Sequence, residues 1–89
     1  MAALSAPFSA DEALAVAEAA PTAREAAAAL RSRYAPWRVL VIDAFDMRHE
    51  TPVARGSRRQ LFLSASDGHC WTVTGDSAQA AGLIVTDAA

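Results

Sequence analysis

The spacing of apolar positions changes partway along the chain. Up to about residue 34 they recur at helical intervals, and from residue 37 they form short runs and alternations that suit strands. Ser9-Ala10-Asp11-Glu12 has the S-x-x-E form of a capping box, with the Ser9 hydroxyl taking an orphan N–H and Glu12 reaching back to Ser9. It predicts a helix over about residues 10–20 whose large apolar residues are Leu14 and Val16. Thr22 and Glu25 repeat the signal for a second helix over about 23–34. Ala23, Ala26, Ala27, Leu30 and Tyr34 share one face of it, small enough for close approach to a neighbour. Pro36 ends it, because the residue before a proline is pushed out of the α region.

The segment from Trp37 to Phe45 reads as a strand, apolar on both faces over Val39-Leu40-Val41-Ile42 and therefore expected at the centre of a sheet. A polar stretch over 46–59 follows, rich in arginine and long for a loop. Residues 60–66 and 69–74 alternate as two strands around Asp67-Gly68, a two-residue hairpin turn. That turn pairs Ser64 with Trp71 and Phe62 with Val73. Phe62, Ser64, His69, Trp71 and Val73 then share one face, and Leu61, Leu63, Ala65, Cys70 and Thr72 the other. The leucine face is expected under the helices; Trp71 and Phe62, on the open face, need some cover. Asp76 or Ser77 caps one helical turn through Ala81, with Gly82 as its stop, and residues 83–86 form a fourth strand. The expected architecture is a single α+β domain, two helices on a small, mainly antiparallel four-stranded sheet in the order ααβββ(α)β, with residues 1–8 as a flexible lead.

Composition sharpens this. The chain has 89 residues, 23 of them alanine, so the core must be thin and the helices must lie close to the sheet. No apolar run approaches the length of a bilayer span, and the start lacks the basic region of a cleaved signal peptide. A net charge of −2 argues against a general nucleic-acid binder. All eight cationic side chains are arginine, as GC-rich coding would give. Cys70 is the single cysteine, so no internal disulfide forms and a reducing cytoplasm is the expected compartment.

Three groups of residues are candidates for chemistry. Cys70 could ligate a soft metal or a cofactor with His69, His49 or Met47 as helpers, across a dimer if need be, although a small buried hydrophobe is the commoner state of such a cysteine. Asp43, Asp46 and His49 leave a strand end together, as catalytic groups often do, although short polar residues there are also ordinary turn chemistry. A serine triad would need Ser57, Ser64 or Ser66 to meet His49, and no nucleophile elbow supports it. Arg48, Arg55, Arg58 and Arg59 suit carboxylate or phosphate, without any phosphate-binding glycine motif, or else form a solvated loop. Tyr34, Trp37, Phe62 and Trp71 are expected to pack; left open, Phe62 and Trp71 would make an interface patch, including one for a homodimer.

Leu61-Phe62-Leu63, Ser66-Asp67-Gly68-His69-Cys70, Trp71-Thr72-Val73-Thr74, Asp76 and Ala80-Ala81-Gly82-Leu83-Ile84-Val85 together resemble an uncharacterised family of small bacterial proteins often encoded among nitrogen-fixation genes. The resemblance covers residues 60–86 and implies a genomic context, with no activity attached. The first expectation is therefore a non-enzymatic accessory protein that binds another protein, or itself, through Arg48, Arg55, Arg58, Arg59, Phe62 and Trp71. The rivals are a carrier built on Cys70 and an enzyme built on Asp43, Asp46 and His49.

Overall fold

The computed structural model describes residues 8–66 and 70–88. Both capping signals work. Helix α1 (Ala10–Ala19) starts at Ser9, whose Oγ accepts from the Glu12 N–H, and α2 (Ala23–Arg33) starts at Thr22, whose Oγ1 accepts from the Glu25 N–H. The acids do not reach back to the cap N–H groups as expected. Glu12 instead pairs with Arg33 of α2 at 2.7 Å, and Glu25 accepts from the Thr22 hydroxyl. Ala13 and Ala17 of α1 and Ala26, Ala27 and Leu30 of α2 are fully buried, which brings both helix backbones close to each other and to the sheet. Leu14 and Val16 flank that contact. Tyr34 is buried too, and Phe8 packs on Tyr34 and Trp37 with ring centroids 5.4 and 5.3 Å apart. Phe8 is thus held by an aromatic cluster; the rest of the lead expected to be flexible, residues 1–7, lies outside the described residues.

The sheet is mixed and has five strands: β1 (Arg38–Val41), β2 (Ala54–Arg55), β3 (Arg59–Ser66), β4 (Trp71–Thr74) and β5 (Gly82–Asp87). β5 lies between β1, which it pairs in parallel, and β3, which it pairs antiparallel. The far edge of β3 is shared by β2 at one end and β4 at the other. The α+β class holds, while the expected four-stranded, mainly antiparallel sheet gains a strand and a parallel edge.

β1 is at the edge, not at the centre. Its apolar run misleads because each face has its own use: Val39 packs under α2, while Leu40 and Val41 are 40% and 43% exposed. Ile42 donates to the Val85 carbonyl, so the alternating ladder turns the peptide groups of Val39 and Val41 outward. Arg31 of α2 caps the outward Val39 carbonyl at 2.7 Å, one way a protein blunts an open edge. The central strands are β5, buried from Gly82 to Thr86, and β3.

The helix-facing side of the sheet carries Val39, Leu61, Leu63, Leu83 and Val85, as the leucine pattern predicted. On the other side Phe62 and Ile84 are covered by Met47, with Ile42 and Val73 alongside. The stretch over 46–59 is therefore no open loop. Successive turns over residues 44–50 seat Met47 on the sheet, and Val53 and Ala54 join the main core. The β3–β4 register differs from the expected one by two residues, with Ser66 opposite Trp71 and Ser64 opposite Val73. An even shift keeps the paired side chains from Trp71 to Thr74 on their expected faces, but Cys70, expected with the leucines, lines the cavity on the open face instead. The turn itself, including Asp67, Gly68 and His69, lies outside the described residues. The helical turn expected before Gly82 is a non-helical turn in which Asp76 Oδ1 accepts from the Ala78 N–H, and Gly82 opens β5 instead of stopping a helix.

Candidate functional site: a hollow over Gly82 and a clasp on Glu18

The open face of the sheet contains a row that runs Arg38, Gly82, Ser64 across β1, β5 and β3. The glycine puts no side chain into the middle of the row, so the sheet is hollowed there. A cavity of about 520 Å³ lies over it, lined by Pro36, Arg38, Leu40, Ser64, Ser66, Cys70, Trp71 and Ala81. A glycine inside a strand often marks a place where a ligand or another backbone comes close. Here a β-carbon on Gly82 would stand 2.6 Å from the Arg38 carbonyl oxygen and 3.0 Å from Ser64 Oγ. Trp71 is 47% exposed at the rim, opposite Leu40 across the hollow. The volume lies within the range of small-ligand clefts, roughly 300–1,000 Å³, and the mixture of apolar wall and a few polar groups is typical of them.

The arginine-rich segment behaves differently. Gly56 donates to the Arg59 carbonyl, which closes a tight turn between β2 and β3. The N–H groups of Ser57, Arg58 and Arg59 all point at the Glu18 carboxylate of α1, at 3.1, 2.8 and 2.6 Å, and the Ser57 hydroxyl adds a fourth bond at 2.9 Å. Consecutive backbone N–H groups in such a turn form an anion nest, and here the anion is the protein's own. A β-carbon on Gly56 would stand 2.5 Å from Glu18 Cδ, so the turn needs glycine for the carboxylate to enter. Burial pushes the Glu18 carboxyl up, but the bonds from Arg58, Ser57 and Arg59 outweigh it and hold the group below its ordinary value. The side chains close the clasp from the other side. Arg58 donates to the Glu18 carbonyl and Arg59 to that of Ala20, which gives the C-terminal end of α1 the positive charge its own last turn lacks. Arg59 is 5% exposed and also meets Asp87 at 3.2 Å.

The arginines expected at a partner surface therefore divide. Arg58 and Arg59 are engaged within the clasp. Arg48 lies over the Phe45 ring, 3.8 Å from its centroid, and donates to the Phe45 carbonyl. Arg55 is exposed. Phe62 is buried beneath Met47 and offers no surface; Trp71 is left open.

Among the described residues, the other candidate groups do not come together. Cys70 is exposed at the hollow, contrary to its reading as a buried hydrophobe, while Met47 is 4% exposed in the Phe62–Ile84 cluster. His49 is exposed in the turns over 44–50, and His69 lies outside the described residues. Among the described residues, no three of His, Cys, Asp and Glu come together as a metal site. Asp43 lines a second cavity of about 350 Å³ with Asp87 and accepts from the Phe45 N–H, an ordinary turn bond; neither Asp46 nor His49 lines that cavity.

Sequence reasoning missed Arg38, Leu40 and Gly82. The usable signal was a glycine beside an apolar run, which marks a strand with a gap as well as it marks a helix stop. No described helix is long and apolar enough to cross a membrane. The chain matches no protein-family model, no curated protein and no solved structure.

Proposed function

We propose that the protein is a small accessory protein that binds another protein through the open face of its sheet. One observation carries the proposal: Trp71 and Leu40 stay exposed around a ready-made hollow while Phe62 on the same face is covered by Met47. A chain with few large side chains would gain stability by burying a tryptophan, and exposed aromatics rimmed by polar groups are typical of interaction surfaces. The resemblance over residues 60–86 suggests nitrogen-fixation metabolism as the setting.

Quantitative co-purification from the native cells tests this. Proteins recovered with the wild type should be lost from Trp71→Ala and from Leu40→Ser and retained by Arg55→Ala, with all three variants folded by circular dichroism. Equal recovery on Trp71→Ala would remove the open face as the binding surface.

A further inference from the structure

We infer that the protein segment taken by the hollow carries a carboxylate next to a bulky apolar side chain, the carboxylate meeting Arg38 and the apolar group lying against Trp71 and Leu40. This rests on the proposal that the open face binds protein, and it specifies the chemistry of the partner.

Charge complementarity is the first support. Among the described residues no acid lines the hollow, and no hydrogen bond or ion pair holds the Arg38 guanidinium. Arg24 and Arg55 share that freedom, but neither lines the hollow or the second cavity. Arg31, Arg48, Arg58 and Arg59 are each spent on a carbonyl of this chain. A guanidinium presents a fork that matches a carboxylate, and it is worth most beside apolar walls that keep water away.

The second support is the Ser64 hydroxyl. It sits beside Gly82 without a hydrogen-bond partner among the described residues, across the row from Arg38. A carboxylate over the glycine has a second oxygen for it. The third is the rim. Leu40 and Trp71 are about half-exposed and extend the apolar surface out of the hollow, where an extended protein segment covers more than a small molecule would.

The test is a selection from amidated six-residue peptides of random sequence, followed by fluorescence anisotropy of the enriched peptides. The wild type should enrich Asp or Glu adjacent to an aromatic or large aliphatic residue. Arg38→Gln should bind those peptides about tenfold more weakly, the scale of one charge-assisted contact. It should also stop discriminating Glu from Gln while keeping the apolar preference, and Trp71→Ala should do the reverse. Neutral or basic peptides, acidic peptides that bind Arg38→Gln as well as the wild type, or no enrichment at all would overturn the inference. Co-purification lost on Trp71→Ala would still leave the broader proposal standing in that case. A free arylalkyl carboxylate that competes as tightly as the peptides would make the ligand a small molecule. A concentration-dependent doubling of mass abolished by Trp71→Ala would make it a second copy of the chain. Either result overturns the inference.

Discussion

Two regions of this molecule use arginine in opposite ways. At the clasp, one carboxylate meets three backbone N–H groups and a hydroxyl, and two guanidiniums close on the last carbonyls of α1, with Arg59 Nε buried and without a partner among the described residues. At the hollow, a guanidinium and a hydroxyl stand without partners among the described residues, beside an exposed tryptophan. The clasp lies in the segment that the sequence marks as charged, and the hollow lies where it marks little. Density of charge along a chain therefore says where electrostatics are strong, but surplus charge in three dimensions says where a partner could use them.

The largest contrast should appear in paired arginine variants. Arg59→Ala removes a nearly buried guanidinium and leaves the Ala20 carbonyl unpaired, a loss of about 3 kcal/mol in urea unfolding. Arg38→Ala should change stability by no more than about 0.5 kcal/mol, because its side chain is exposed and has no partner among the described residues. Equal losses would erase the distinction between the two regions. Next comes Gly82→Ala, which forces a methyl group toward the Arg38 carbonyl and should cost about 1–3 kcal/mol while filling the floor of the hollow.

Smaller effects test the clasp from within. Gly56→Ala expels the Glu18 carboxylate, and Glu18→Gln removes its charge, so the two should be non-additive in a double-mutant cycle. Simple additivity would mean that the turn and the carboxylate are independent. Acid should also open the clasp. The folded carboxyl titrates below its ordinary value of 4.5, so the unfolded chain binds the proton first. The stabilisation is complete above that value and fades as pH falls through the lower folded value. Glu18→Gln should flatten this part of the acid-unfolding profile, and an unchanged profile would contradict the account.

The elements with local causes were legible in the sequence. Ser9 and Thr22 mark both helix starts, the alanine-and-leucine stripe marks the buried face of α2, and alternation assigns Phe62 and Leu63 to opposite sides of the sheet. What escaped depends on contacts remote in sequence. Nothing near residue 57 announces that a glutamate 39 residues earlier fills its turn. Nothing in the apolar run of β1 announces that an arginine from α2 caps its free edge. The two-residue slip in the β3–β4 register is silent in a pattern of period two, because it returns each paired side chain to its own face. The hollow was hidden for the same reason as the clasp: Arg38, Gly82 and Trp71 meet only when β1, β5 and β4 are assembled around β3.

The most direct test of the open face as a binding surface is photo-crosslinking in the native cells. A photoreactive amino acid is placed at Leu40, on the rim of the hollow, and in a second strain at Ser57, in the clasp. The account predicts a discrete heavier adduct from position 40 and none from position 57. An adduct from position 57 alone, or none from either, would contradict it.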